Sequence, residues 1–391
     1  ISRSINDALY IRNCKLSAET LNEIFRTLPD VKGQTEGAKK IWIADNPGTD
    51  ACDKKIATDK GWELDVEDTP PPAGNSMTMT TTKAVGEKIE LRIEAEPADR
   101  PNVWIDLNNN KVKDAGESVT RFNSYEEYKL GSQTVTVYGK VTVLTCPVNS
   151  LTSLDVSKNT ALTGLVCYSN SLTSLDVSKN IALKVLNCDS NSLTSLDVSK
   201  NTALTYLDCH KNSLTSLDVS KNKALTGLYC YKNSLTSLDV SKNTALTYLN
   251  CSYNKFTSLD VSKNTALTEL GCSYNSLTSL DVSKNKALKI LTCDSNKFTS
   301  LDVSKNTALT IFSCSNNPNL SSLKISSSIN DALLVNDCKL STETLNEIFR
   351  TLPDVKGETE GKKKIWIGGN PGTDACNKKI ATDKGWTVNI D

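Results

Sequence analysis

Residues Leu204 to Ala224 read LTYLDCHKNSLTSLDVSKNKA, and the same 21-residue frame recurs on both sides of them. Cysteine marks it most plainly. Nine of the thirteen cysteines, Cys146, Cys167, Cys188, Cys209, Cys230, Cys251, Cys272, Cys293 and Cys314, stand 21 residues apart. Within the quoted stretch Leu204, Leu207, Cys209, Asn212 and Leu214 fill the pattern LxxLxLxxNxL, and Leu214, Leu217, Val219 and Asn222 fill it a second time. A turn this short cannot bury its own apolar side. Leu, Cys and Val of successive turns must therefore stack into one continuous core.

A period of roughly 20 to 29 residues with leucines at fixed offsets defines a leucine-rich-repeat solenoid. Eight full repeats run from Val141 to Ala308, and an irregular ninth follows, in which Pro318 shifts the register before Leu320, Leu323 and Ile325. Strand alternation sends Leu207 and Cys209 inward and leaves Tyr206, Asp208 and His210 facing solvent. The repeated asparagines are expected to form a ladder whose amides bond the backbone of each tight turn.

The flanks repeat as well. Residues 4–62 match residues 328–386 at 49 of 59 positions. In the second copy Ser341 to Leu352 has an N-cap candidate, an acidic first turn and apolar residues at helical spacing. A strand at Ile365 to Ile367 and a further helix through Ile380 complete an α/β end unit that covers the last open turn. Between the copies, prolines around Pro70 to Pro72 favour an extended spacer. Alternating runs from Met77 to about Tyr138 read as a small antiparallel β-sandwich shielding the first turn. The expected class is mixed and β-dominated: an end unit at 1–66, a linker at 67–75, the sandwich at 76–140, the solenoid at 141–325 and a C-terminal cap at 326–391.

Composition bounds the function. The chain has 391 residues with 45 basic and 45 acidic side chains and one histidine. Its sequence pI of about 6.8 argues against nucleic acid or an anionic membrane as partner, since both demand a basic surface. No apolar run is long enough to span a bilayer. A single imidazole, His210, removes every triad or metal site that needs two or more histidines, and no enzyme is expected. Because the chain opens on Ile1, a signal or anchor segment is expected to be absent from it.

The motif LTxLxCxxNxLTSLDVSKNTA, with cysteine at the inward strand position, resembles the cysteine-ladder repeats of internalin J-like bacterial surface proteins. TVYGKVTVLTC leading into the repeats, and LNEIFRTLPDVKG with NPGTDAC closing them, resemble leucine-rich-repeat surface proteins of Bacteroides-type bacteria. The resemblance implies an exported, adhesin-like protein at the cell surface or outside the cell, with no catalytic residues and no required cofactor. The second copy of the closing unit, at 1–66, departs from the pattern.

Four features carry the candidate chemistry. The cysteine ladder offers one inward sulfur per turn with turns about 4.8 Å apart, which favours buried thiols over disulfides. DLNNNKVKDAGE places Asp106, Asn108, Asn110, Asp114 and Glu117 at positions 1, 3, 5, 9 and 12 of a calcium loop, with the Val112 carbonyl at 7. Lys111 replaces the usual glycine, so an Asn-rich hairpin connection fits equally well. Asp155 and Lys158 recur through Asp302 and Lys305 as acid and base rows; a charged ligand is one reading, and the expected one is a solvated face in which alternating rows cancel the repulsion of stacked like charges.

The last feature is a contrast within the repeat. The LTSLDV half hardly changes, whereas the cysteine half carries seven of the eleven tyrosines, Tyr168, Tyr206, Tyr229, Tyr231, Tyr248, Tyr253 and Tyr274, together with His210. Exposed tyrosines on a rigid sheet are typical of binding surfaces. The expected partner is a protein ligand outside the cell; a glycan stacking on the tyrosines, or a spacer role in a longer surface protein, are the alternatives.

Overall fold

The computed structural model describes residues 8–11, 14–33, 39–43, 46–65, 74–114, 116–357 and 363–390. The linker expected at 67–75 lies almost wholly outside them. The chain divides into two compact units, residues 1–73 and 74–391.

In the larger unit the LxxLxC half of every turn forms a three-residue parallel strand. Successive strands stack in strict register, with Leu165, Leu186, Leu207, Leu228, Leu249, Leu270, Leu291 and Phe312 side by side. Each strand ends early because the residue two after the cysteine takes a left-handed conformation: Ser169, Ser190, Lys211, Lys232, Tyr253, Tyr274, Ser295 and Asn316 all have φ between 49° and 56°. For a residue with a Cβ this costs about 1 to 2 kcal/mol. The asparagine that follows offsets it. Asn212 accepts the Leu193 N–H at 2.9 Å and donates to the Cys188 and Cys209 carbonyls at 3.1 Å, tying adjacent turns together.

The LTSLDV half lies stacked but pairs as strand only near the ends, at Leu151–Asp155, Ser300–Asp302 and Ser322–Lys324. Its interior turns are joined chiefly by a second asparagine. Asn222 donates to Val198 O at 3.0 Å and Asn201 O at 2.9 Å. The Oδ1 atoms of this row, from Asn159 to Asn306, are buried and accept no hydrogen bond.

The sandwich closes the first turn from both sides. Strand Lys88–Glu94 pairs antiparallel with Val143–Thr145, continuing the cysteine-strand sheet, and carries Tyr125–Lys129 at its far edge. Strand Ser76–Thr81 pairs with Leu151–Asp155 and with Thr134–Tyr138, which in turn pairs with Trp104–Asp106. Asn149 is caught by Glu90, accepting its N–H at 2.9 Å and donating to its carbonyl at 2.7 Å, so the ladder ends on a paired group. At the other end Ala332–Leu334 pairs with Ile311–Ser313, and Lys364–Trp366 and Thr387–Asn389 extend the sheet. The helix Thr342–Thr351 starts at Ser341, whose Oγ accepts the Thr344 N–H. Lys384 Nζ holds its last carbonyls, those of Phe349, Arg350 and Leu352.

The smaller unit repeats this cap by itself: strands Ala8–Tyr10, Lys40–Trp42 and Glu63–Asp65 with helix Ala18–Thr27. Its core is Leu9, Leu21, Phe25, Ile41, Ile43 and Trp62. Cys14 is exposed, while its counterpart Cys338 is buried under the last turns of the solenoid.

All nine ladder cysteines are fully buried, and none of the thirteen is in a disulfide. Burial alone pushes the Cys146 thiol up to about 12, and it is also the main cause of the same value at Cys251. Alkylation of the native protein should therefore leave all nine unmodified, whereas denaturation without reductant should expose nine reactive thiols to mass spectrometry. Disulfide-linked ladder peptides would overturn that expectation.

Candidate ligand-binding face

Fixed register decides which side chains meet. Tyr206, Gly227 and Tyr248 stand in one column across three turns, and Asp208, Tyr229 and Asn250 in the next. Tyr229 fills the notch over Gly227, where an added Cβ would lie 3.4 Å from the Tyr206 ring and 3.5 Å from the Tyr229 ring. The three tyrosines form one stack, with centroids 5.2 Å apart for Tyr206 and Tyr229 and 4.4 Å for Tyr229 and Tyr248. Tyr231, two residues along from Tyr229, stacks on His210 at 4.1 Å and 11°. Tyr253 and Tyr274, both on left-handed backbone, make a separate pair at 4.1 Å, with Lys232 Nζ 5.3 Å above the Tyr253 ring. Tyr168 is half-buried, with no stacking partner among the described residues.

Two expectations need correction. Only Tyr253 and Tyr274 are openly exposed, at 43% and 47%; the other five are half-buried, four of them against ring neighbours. Burial raises the hydroxyls of Tyr206, Tyr229, Tyr231 and Tyr248 above the ordinary tyrosine range. Asp208 and His210 are not solvent-facing either. Asp208 is 6% exposed and its carboxyl is raised by burial, a rise opposed by the hydrogen bond from His210. Alternation gives the side of the sheet but not the cover that neighbouring turns provide.

His210 Nδ1 lies 2.6 Å from Asp208 Oδ1, and His210 Nε2 lies 3.4 Å from Asp189 Oδ1 in the preceding turn. Among the described residues these three form the one group of metal-ligating side chains gathered within 4.8 Å of one another. Sequence reading named His210 but missed both aspartates. The signal was present, since 189 and 210 differ by one repeat.

The 106–117 loop is a hairpin connection: Trp104 bridges Ser118 antiparallel. It is also wound as a cation loop would be. Asp106 is fully buried and accepts the N–H groups of Asn110 at 3.1 Å and Lys111 at 2.9 Å. Asn108 accepts the Asn110 N–H, and Asn110 accepts that of Val112. Lys111 takes φ 64°, the conformation that normally calls for glycine at this position. Glu117 is 3% exposed and bonds the Leu107 and Asp114 N–H groups. Its carboxyl is raised first by burial and further by the charges of Asp114 and Asp106. By sequence the three carboxylates Asp106, Asp114 and Glu117 outnumber the two lysines of the loop, Lys111 and Lys113. Asp114 is exposed and its carboxylate accepts from Asn108 and Asn110, and the carboxylate oxygens of Asp106, Asp114 and Glu117 do not all lie within 4.8 Å of one another.

The Asp155-to-Asp302 row serves a local purpose. Asp176 accepts the Ser178 N–H at 2.8 Å, and that bond, with the Ser178 hydroxyl second, holds its carboxyl below the usual range. Among the described residues no ion pair joins this row to the Lys158-to-Lys305 row. Each aspartate caps the next turn, and beyond that bond the lysine of its own turn lowers the Asp155 and Asp176 carboxyls while the aspartate of the following turn raises them.

No protein-family model matches the chain, and no curated protein matches it by sequence. Solved structures do. The functional domain of InlJ from Listeria monocytogenes, which includes a cysteine ladder, is 27% identical over 65% of this chain and 69% of its own, with a TM-score of 0.38. The internalin inlF of the same species is 18% identical over 64% and 87%, at 0.48. YopM, a leucine-rich effector protein of Yersinia pestis, is 23% identical over 59% and 62%, at 0.49. These neighbours are internalin-like and other leucine-rich-repeat proteins. The chain's own ladder of 21-residue turns places it in the same fold class. Among the described residues no helix is long and apolar enough to cross a membrane.

Proposed function

We propose that the solenoid is a protein-binding module of an exported, adhesin-like surface protein of Bacteroides-type bacteria, and that it recognises a protein ligand through the cysteine-strand face around Tyr206, Tyr229, Tyr231 and Tyr248. The observation that carries this reading is the aromatic stack set into otherwise uniform turns. Stacked rings are held rigid before any partner arrives, which limits the entropy lost on binding. Their faces are taken up by one another, so edges and hydroxyls remain for a partner; that favours a protein over a sugar ring. No catalytic residue belongs to this reading. The test is to probe arrays of extracellular proteins and of glycans with the full chain and with a Tyr229→Ala/Tyr231→Ala variant. A protein ligand bound by the first and lost by the second supports the reading; selective glycan binding, or a ligand indifferent to both substitutions, rejects it.

We propose further that the 106–117 loop holds calcium through Asp106, Asn108, Asn110, the Val112 carbonyl, Asp114 and Glu117. Buried, mutually repelling carboxylates on an oxygen-only loop support it. A ligand that binds only the folded state stabilises by mass action. Millimolar calcium should therefore raise the melting temperature of the sandwich, and chelation should reverse it. Asp106→Ala with Glu117→Ala should abolish the difference. An unchanged melting temperature would leave a plain hairpin.

A further inference from the structure

The geometry points to a transition-metal site on the cysteine-strand face, in which His210 Nε2 and Asp189 bind a divalent first-row ion of the zinc class and Asp208 orients the imidazole from behind. Register builds the site. Asp189 and His210 occupy the same position in adjacent turns, and Asp208 sits two residues before His210 on the same side of its strand. Asp208 Oδ1, 2.6 Å from Nδ1, fixes that nitrogen as a donor. Tyr231, stacked at 4.1 Å, fixes the ring plane. The second nitrogen is thereby aimed at Asp189 with its lone pair outward.

Asp189 supplies an independent observation. It is 8% exposed, and its carboxylate accepts no hydrogen bond from any described residue; the ligand atoms beside it are His210 Nε2 at 3.4 Å and an Asp208 oxygen within 4.8 Å. A charge-assisted N–H···O bond would close to about 2.7 to 2.9 Å. Two ligands each about 2.0 to 2.1 Å from a tetrahedral ion lie about 3.3 Å apart, which is the separation found. Two buried carboxylates and one imidazole also leave the cluster negative, a cost that a bound cation removes. A carboxylate behind the histidine is the usual support of a metal-bound imidazole. With two protein ligands the remaining positions fall to water or to donors of a bound partner.

This site stands apart from the protein-ligand reading, since it rests on the free chain. Cobalt(II) titrated into the full chain should give the visible absorption of a tetrahedral or five-coordinate ion, at one ion per chain and displaced by zinc. His210→Gln and Asp189→Asn, near in shape to the native side chains, should abolish the signal while circular dichroism and melting stay native. Asp208→Asn should weaken affinity about ten- to hundredfold without changing the spectrum, as expected of a positioning residue. Cys14→Ser should change nothing. No binding at millimolar cobalt or zinc, a signal that survives His210→Gln, or a thiolate charge-transfer band would each overturn the site.

Discussion

Replacing Asn296 by alanine is expected to lower the unfolding free energy of the solenoid by about 3 kcal/mol, seen as a lower denaturant midpoint. Asn296 is 4% exposed. Its Oδ1 accepts the Leu277 N–H at 3.0 Å, and its Nδ2 donates to the carbonyls of Cys272, Cys293 and Asp294, each at 3.1 Å. Truncation orphans one buried N–H and removes the only side-chain tie between those carbonyls, and each unsatisfied group costs about 1 to 3 kcal/mol. The same change at Asn285 offers a control. It is equally buried, but it donates only to Val261 O and Asn264 O, and its Oδ1 accepts nothing. Losing Asn285 leaves no orphaned donor and relieves an unpaired acceptor, so its cost should be smaller by about 1 kcal/mol or more. Equal costs would show that the Oδ1 row is satisfied by buried water. Because each turn contacts only its neighbours, the loss should appear as weakened coupling at one interface of the stack.

The contrast between those two asparagine rows shows how far the sequence can be read. Both recur at 21 residues, and periodicity places both at turns. It cannot tell that one amide is used on both sides and the other on one, because that depends on where the left-handed residue after each cysteine sends the backbone. The same limit applies at Tyr253 and Tyr274. They occupy the left-handed position that Ser, Lys or Asn holds in the other turns of the ladder from Ser169 to Asn316, and their rings stack on each other and not on the Tyr229 group, although by count they belong to the same variable half. Solenoid, sandwich and caps were legible because apolar alternation and repeat length leave few other ways to bury Leu, Cys and Val. The Asp189–Asp208–His210 cluster was not, because alternation assigns a side of the sheet without reckoning the neighbours that cover it. Its members come from two turns, and only the register brings them together.

Alanine at Tyr229 is expected to weaken the protein ligand by at least about tenfold, or about 1.4 kcal/mol, once that ligand is identified. Tyr229 is the middle ring of the three, resting on Tyr206 on one side and Tyr248 on the other. Its removal empties the notch over Gly227 and frees both neighbours, so contact area and preorganisation fall together. Central aromatics of this kind often cost about 2 kcal/mol or more on truncation, while rim residues cost little. Tyr229→Phe should keep the stack and most of the affinity, because only the hydroxyl is lost. Tyr231→Ala should act similarly by freeing the His210 ring. Lys221 and Lys242 line a shallow groove formed by the Ser-Lys-Asn turns with Thr202, Ser220 and Lys223. Alanine at those lysines should change affinity by less than about threefold, since solvated lysines contribute little to a contact made elsewhere. Surface plasmon resonance on these five variants decides the matter: loss at the lysines with none at the tyrosines would move the working surface to the repetitive half of the turn.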